Sequence, residues 1–356
     1  MPHAIALVLI ARNEERCLAR CLASARPHVD EMVVLDTGST DATPRIAADA
    51  GARVLSAAWP DDFSAARNLA LAQTAAPWRL VLDADEWIAA GAACLREIRR
   101  REPGFVGLLR VDNQIDGARG EVQHAPSWIP RLLPAGVRYE GRIHEQPVSA
   151  LPRERLPLVL GHDGYLARQA QAKAGRNERL LRQALAEHPH DAYLHYQLGK
   201  DLEVRSRHAE ALPFYREAHR AGPAAAAWRH DLVVRLVFTL KTLKKFAEAV
   251  ELASLELAHW GESPDFFFAL GDLLLDWALA EPQRAAELLP QIEASWQRAV
   301  AIGERPDLPD SVRGRGSFLA AHNLAAFQES LGHAAQAAQW RERARQWREQ
   351  SERRAE

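Results

Sequence analysis

The stretch RLVLDADEWI, Arg79 to Ile88, changes from a run of apolar residues to the carboxylates Asp83, Asp85 and Glu86. A short apolar run bounded by polar residues is typical of a buried strand. Like charges at contact distance disfavour one another's ionised form, so we expect the acidic cluster to face a positive charge. The stretch therefore predicts a buried strand that ends at a binding edge.

Upstream of this stretch, apolar runs alternate with segments of helical spacing. The apolar runs are 4–10, 31–35, 53–57 and 78–82, and the helical segments are 14–25, 43–50 and 64–74. Such alternation is typical of a parallel sheet that helices cover on both faces. Further along, DNQIDGARG at 112–120 predicts a loop, and short strands are expected at 128–133, 137–139 and 156–160.

From about residue 166 onward the pattern is helical and rich in alanine. Residues 192–223 resemble the tetratricopeptide helical hairpin of about 34 residues. Small Gly199 and Ala211 stand where the two helices of that hairpin approach each other. Related stretches begin at Phe246, Phe266 and His322, and three to four repeats can stack into one continuous core. An ordinary amphipathic helical bundle is the alternative interpretation.

The length of 356 residues exceeds the size at which one hydrophobic core usually stops growing, so we expect more than one domain. The pattern predicts an α/β domain over 1–165, a connecting helix over 166–190 and a helical repeat domain over 191–356. Cys17, Cys21 and Cys94 are too few for a disulfide framework, so we expect them to be small apolar residues of the core.

Composition limits the classes of partner. The chain carries 45 basic and 47 acidic residues, which gives no reason to expect nucleic acid. No apolar run reaches the roughly 18 residues that span a bilayer, and the first apolar run lacks the basic leader of a signal peptide. We therefore expect a cytoplasmic protein without a membrane span. A homo-oligomer remains possible.

Polar residues follow the predicted strands at the edge where ligands bind in open α/β sheets. The first strand runs into ARNEE, which contributes Ala11, Arg12 and Glu14. The second runs into DTGSTDAT, where Asp36 is placed to accept hydrogen bonds from a base or a ribose. A structural role for Asp36 in the turn is the alternative.

The fourth strand runs into Asp83 and Asp85, two hard oxygen donors that suit Mg²⁺ or Mn²⁺ better than zinc. Such ions usually keep waters and bind a substrate phosphate as well, so we expect a diphosphate at this edge. For the pair taken alone, a solvated acidic loop or a helix cap is the alternative. Arg67 offers a fork to a phosphate or a base edge, unless it pairs with Asp61 or Asp62 on the surface.

With these residues in place, the chain resembles a known family. The motifs IALVLIARNEE, VVLDTGSTDAT, FSAARNLAL and LVLDADE stand in the order found in family 2 glycosyltransferases of GT-A fold. The resemblance covers roughly residues 4–165. It implies an inverting enzyme with a nucleotide-sugar donor, with UDP as the first expectation. It places Asp36 on the nucleoside, Asp83 near the ribose and Asp85 on a divalent metal that bridges the diphosphate.

The base that activates the acceptor is expected outside the donor cluster. YEGRIHEQP, at 139–147, is the candidate region because strand and helix patterns do not otherwise explain it. Glu145 is the candidate base, with Glu140 as the second choice, and ordinary loop residues are the alternative. His162 resembles the late histidine that GT-A enzymes often supply to the metal or the diphosphate, although a histidine beside a turn needs no function.

The combination of this domain with GRNERLLRQALAEHPHDAYLHYQLG, at 175–199, resembles the tetratricopeptide-linked subgroup that includes the peptide S-glycosyltransferases of glycocin pathways. The resemblance implies a peptide or protein acceptor that the repeats recruit. A glycan or a lipid-linked sugar for surface polysaccharide is a second possibility. An interaction scaffold with an inactive transferase domain is a third, and intact Asp36, Arg67, Asp83 and Asp85 weigh against it.

Overall fold

The computed structural model describes residues 2–116, 122–164 and 167–353. The chain divides into two compact units, Met1–Pro189 and His190–Glu356. The strands of the first unit are β1 (Ile5–Ala11), β2 (Glu31–Asp36), β3 (Arg53–Ser56), β4 (Trp78–Val81), β5 (Glu86–Ala90), β6 (Val106–Asp116), β7 (Val122–Pro134), β8 (Arg138–Glu140), β9 (Gln146–Val148) and β10 (Arg153–His162). Its helices are α1 (Leu18–Ala25), α2 (Thr43–Asp49), α3 (Phe63–Leu71), α4 (Cys94–Ile98) and α5 (Ala167–Glu187).

Eight strands form one mixed sheet in the order β3-β2-β1-β4-β7-β6-β10-β5, and β8 pairs with β9 separately. The first four strands are parallel, as the alternating pattern predicts. Beyond β4, the pairs β4–β7, β6–β7 and β10–β5 are antiparallel, while β6 and β10 are parallel. The predicted α/β class is confirmed, with a sheet more mixed than its parallel first half suggests.

The two faces of the sheet are both buried, because alternate residues of each strand point to opposite sides. In β1, Leu7 and Leu9 pack in the cluster that contains Leu22 of α1. Ala6 and Val8 pack on the other face in the cluster that contains Ala70 of α3. The predicted covering of both faces is therefore confirmed.

One prediction made for the first unit is wrong, and one strand was missed. Residues 112–116 continue strand β6 instead of starting a loop, because they pair with β7 up to Asp116 and Val122. An antiparallel pair tolerates polar residues, and four of the five residues of DNQID are polar, so the stretch carries no local sign of a strand. Residues 117–121 lie outside the described residues. Strand β5 begins inside the acidic motif at Glu86 and was not predicted.

The helix predicted from residue 14 begins at Leu18, after a turn in which Asn13 has a positive φ of 56°. Cys17 and Cys21 are buried and unpaired with another cysteine, as expected, and Cys94 is partly buried. Across the described ranges, no helix combines the length and the apolar character that a bilayer crossing requires.

The second unit consists of helical hairpins. They are α6 (Ala192–Val204) with α7 (His208–Ala221), α8 (Arg229–Thr242) with α9 (Phe246–Trp260), α10 (Pro264–Ala280) with α11 (Ala285–Ile302), and α12 (Phe318–Ser330) with α13 (Ala334–Arg353). A Cβ on Gly199 would lie 2.6 Å from the ring of Tyr215, and one on Gly271 would lie 2.5 Å from the ring of Trp296. Glycine therefore permits the close approach within each of these two hairpins, and the predicted repeats are confirmed.

Candidate active site

The acidic motif after β4 is neutralised by arginines of the protein itself. The Nη2 atom of Arg67, on α3, donates to Asp83 Oδ1 at 2.6 Å. The Nη2 atom of Arg131, on β7, donates to Asp83 Oδ2 and, at 2.6 Å, to Glu86 Oε1. The backbone N–H of Asp83 also donates to Glu86 Oε2 at 2.9 Å. The positive charge expected from the sequence is thus supplied in part by Arg67 and Arg131, which weakens the case for an external cation at Asp83.

The two arginines and Glu86 are buried, with side chains 7%, 8% and 2% exposed, while the Asp83 side chain is 33% exposed. Burial tends to raise the pKa of Asp83, but the charges of Arg131 and Arg67 outweigh it and hold that pKa well below its usual range. For Glu86 burial dominates and raises the pKa, although Arg131 opposes it. Asp83 therefore depends on both arginines, and Glu86 depends on Arg131.

Arg67 also connects the motif to the candidate base. Its Nε atom donates to Glu145 Oε1, and the Glu145 side chain is 9% exposed. The loop that places Glu145 contains Gly141 and His144, both with positive φ. Glu140 is exposed on β8. The structure therefore brings Glu145, and not Glu140, to Asp83, and Arg67 does not pair with Asp61 or Asp62.

Asp85 and His162 lie together at the ends of separate segments. Asp85 Oδ2 is 3.5 Å from His162 Nε2, and His162 Nδ1 is 2.8 Å from Asn113 Oδ1. The amide of Asn113 donates to Ser127 Oγ at 3.0 Å, which orients its oxygen toward the histidine. Burial lowers the pKa of His162, but the hydrogen bond to Asp85 and the nearby carboxylates outweigh burial and raise it.

This pair fits a small divalent cation. Cis ligands at about 2.1 Å from Mg²⁺ lie roughly 3 Å apart, close to the observed separation. A Cβ on Gly164 would come within 2.3 Å of Asp85 Oδ2 and 2.5 Å of His162 Nε2, so glycine keeps that space clear. Among the residues that the structure describes, no group of three metal-binding side chains occurs. A cation held here would take its other ligands from water and substrate oxygens.

The segment after His162 is fixed by a cluster that the sequence did not reveal. Asp163 accepts hydrogen bonds from Arg16 Nη1 at 3.0 Å and from Arg20 Nη2 at 2.7 Å. The Arg20 guanidinium also lies 3.6 Å from the ring centroid of Trp87, on β5. These contacts attach the end of β10 to helix α1.

The remaining predicted residues line the ends of β1 and β2. Asp36 is paired in register with Ala11, and its carboxylate accepts the backbone N–H of Ser39 at 3.1 Å. Its contacts are therefore those of a turn residue. The backbone N–H of Glu14 donates to Thr43 Oγ1 at 2.7 Å, and Arg12 is exposed.

Sequence reasoning missed Arg131, Asn113 and Asp163. Arg131 had one local signal, because it is a single charge inside the otherwise apolar strand stretch WIPRLLP at 128–134. Such a charge is rarely buried unless it is paired. Asn113 fell within the stretch expected to be a loop, and Asp163 carried no local signal.

Together, the mixed α/β sheet, the polar edge and the helical hairpins define a two-part protein with a candidate ligand site in its α/β unit. Residues 6–145 match the family described as Glycosyl transferase family 2. This part of the chain is therefore a family 2 glycosyltransferase domain.

Comparison with known proteins gives relatives of both parts. The chain is 36% identical over 250 residues to a TPR repeat-containing protein of Synechococcus elongatus, covering 65% of this chain and 60% of the relative. It is 25% identical over 219 residues to the SPbeta prophage-derived glycosyltransferase SunS of Bacillus subtilis, covering 59% and 52%. The chain thus spans less than two thirds of either relative. A glucosyl-3-phosphoglycerate synthase from Mycobacterium tuberculosis, solved with Mn²⁺ and UDP, is 29% identical over 33% of this chain and 46% of its own, with a TM-score of 0.25.

Proposed function

We propose that this chain is an inverting, metal-dependent glycosyltransferase that moves a sugar from a nucleotide-sugar, with UDP as the first candidate, to a peptide or protein. The observation that carries the proposal is the Asp85–His162 pair, 3.5 Å apart, within a unit that contains a family 2 domain. A carboxylate and an imidazole facing one cleared space are a plausible pair of ligands for Mn²⁺ or Mg²⁺.

Asp85 Oδ2 and His162 Nε2 would hold the cation. Asn113 accepts from His162 Nδ1, a contact that leaves Nε2 as the ligand atom. When bound, the ion stabilises negative charge on the departing diphosphate. The chain's own contribution is to orient these two ligands and to leave room beside Gly164.

The donor nucleoside would lie along the ends of β1 and β2. Asp36 would accept hydrogen bonds from it, and Ala11, Arg12 and Glu14 would line the same edge. Asp83 would contact the ribose. Its carboxylate is held in one orientation by Arg67 and Arg131. Under this proposal Arg67 positions Asp83 and Glu145 and does not contact phosphate.

Glu145 is the proposed base. As the acceptor nucleophile attacks the anomeric carbon, its proton passes to the Glu145 carboxylate, and the bond from that carbon to the diphosphate oxygen breaks. Attack opposite the leaving group inverts the anomeric configuration, and no covalent enzyme intermediate is needed. The ion pair with Arg67 fixes the direction in which the carboxylate points.

A polypeptide acceptor is supported by the helical hairpins of the second unit. Repeats of this kind form extended surfaces that suit peptides. The relative from Synechococcus elongatus is likewise named for its TPR repeats. The sequence resemblance to the tetratricopeptide-linked peptide transferases points the same way.

The proposal is tested by incubating the full chain with UDP-glucose, UDP-galactose and UDP-N-acetylglucosamine and measuring UDP release. We expect release with Mn²⁺ and its loss in EDTA and in Asp85→Asn. Asp61→Asn is the matched control, because Asp61 is an exposed carboxylate paired with Arg179, and it should behave as wild type. Equal release with Mn²⁺ and with EDTA would contradict metal dependence. Mass spectrometry of proteins after incubation with the donor should show added hexose or N-acetylhexosamine.

A further inference from the structure

The arginines close to the acidic motif are already paired with carboxylates of the protein, so they are poorly suited to bind a diphosphate. Arg67 and Arg131 are engaged with Asp83, Glu86 and Glu145. Arg20, on α1, and Arg16, in the turn before it, are similarly engaged with one carboxylate, since both bind Asp163. A diphosphate carries several negative charges, so a donor site needs cations that the protein has not already paired.

Arg176, on helix α5, is such a cation. Its guanidinium lies 5.2 Å from the ring centroid of Phe63, the first residue of α3, and its side chain is partly buried. The charged residues that act on it are Glu14, Arg12 and Asp85, which belong to the edge that carries the candidate donor residues. Burial lowers the pKa of Arg176, which Glu14 and Asp85 only partly offset.

No carboxylate pairs with Arg176 in the part of the chain that the structure describes. Its hydrogen bonds go to the Asn177 side-chain oxygen at 3.4 Å, which is a long contact. Arg12, the neighbouring cation, is exposed and likewise has no ion pair within the described ranges. A partly buried guanidinium without a counterion is a favourable place for an anion, because an incoming phosphate replaces lost solvation.

We propose that Arg176 binds the diphosphate of the donor, with Arg12 as a second contact. This inference rests on the proposed function and extends it to a residue beyond position 145, where the family match ends. Helix α5 is then part of the donor site and not only a connection between domains. The planar guanidinium can donate two parallel hydrogen bonds to phosphate oxygens, which a lysine cannot do.

The test is isothermal titration calorimetry of the full chain with UDP and with UMP in Mn²⁺. Because it loses a charge-assisted contact, the Arg176→Ala variant should bind UDP about 10- to 100-fold more weakly than wild type. The UDP affinity of Arg176→Lys should lie between those of Arg176→Ala and wild type. The loss should be smaller for UMP, so the ratio of UDP to UMP affinity should fall. Arg182→Ala is the matched control, since Arg182 is on the same helix and pairs with Glu178. It should stay within about twofold of wild type.

Thermal unfolding of each variant separates binding from folding. If Arg176→Ala unfolds at a lower temperature than wild type, the UDP affinity of Arg176→Gln is used instead, because glutamine keeps most of the aliphatic part of the side chain that lies over Phe63. Wild-type affinity for UDP in a folded Arg176→Ala or Arg176→Gln variant would overturn the inference while leaving the proposed function intact. Failure of wild type to bind UDP, GDP, ADP or CDP in Mn²⁺ would instead overturn the proposed function.

Discussion

Replacing Arg131 by methionine tests whether the buried ion cluster holds the sheet together. Arg131 is 8% exposed and Glu86 is 2% exposed, so the substitution leaves Glu86 buried without its cation, while Asp83 keeps Arg67. Removing one partner of a buried ion pair usually costs about 3 to 5 kcal/mol. Glu86 can escape by taking up a proton. Relative to the unfolded chain, where a glutamate has a pKa near 4.3, this costs at most about 4 kcal/mol at pH 7. We therefore expect a loss of about 3 to 4 kcal/mol in the free energy of unfolding.

Urea denaturation of the full chain at pH 7 measures this loss, and hydrogen exchange of peptides from β4 and β7 locates it. Arg110→Met is the matched control, because Arg110 is 45% exposed and pairs with Asp112 on β6. That variant should lose less than about 1 kcal/mol. Adding Glu86→Gln to Arg131→Met should restore at least half of the loss. An Arg131→Met variant within about 1 kcal/mol of wild type would refute the reasoning, since no buried charge would then depend on Arg131.

Three further predictions concern single side chains. Burial raises the pKa of Asp272 from 3.8 to about 6. The stability that its protonated form contributes is therefore present below about pH 4 and is lost as the pH rises through 6. Asp272→Asn should raise the unfolding temperature at pH 8 and not at pH 4, which calorimetry measures. Gly199→Ala should lower the free energy of unfolding by about 1 to 3 kcal/mol, whereas Gly175→Ala, whose Cβ meets nothing, should raise it by up to about 1 kcal/mol in urea titrations. Gly164→Ala crowds Asp85 and should abolish any Mn²⁺ enhancement of UDP binding; an unchanged enhancement would place the cation elsewhere.

Local patterns were sufficient for the parts of the structure that local interactions determine. The alternation of strand and helix predicted β1 to β4. Their common edge places Asp36 at the end of β2 and Asp85 after β4, the two strands that flank β1. The first hairpin was recognisable because Gly199, Ala211 and Tyr215 stand at the packing positions of the tetratricopeptide repeat within one short stretch.

The rest depends on contacts that are distant in sequence. Arg131 reaches Asp83 because β7 runs antiparallel to β4 and pairs Leu132 with Leu80. No periodicity in either strand encodes that pairing. Arg176 is similarly hidden, because nothing in the alanine-rich pattern of α5 distinguishes the partly buried Arg176 from the exposed Arg179 and Arg182.

The central claim is that Asp85 and His162 hold a cation that binds the donor diphosphate. Calorimetric titration of the full chain with UDP, in Mn²⁺ and in EDTA, tests it most directly. The account predicts at least about tenfold tighter binding in Mn²⁺ for wild type, and no difference between the two conditions for Asp85→Asn. Equal affinity of wild type in Mn²⁺ and in EDTA, or a full Mn²⁺ response in Asp85→Asn, would contradict it.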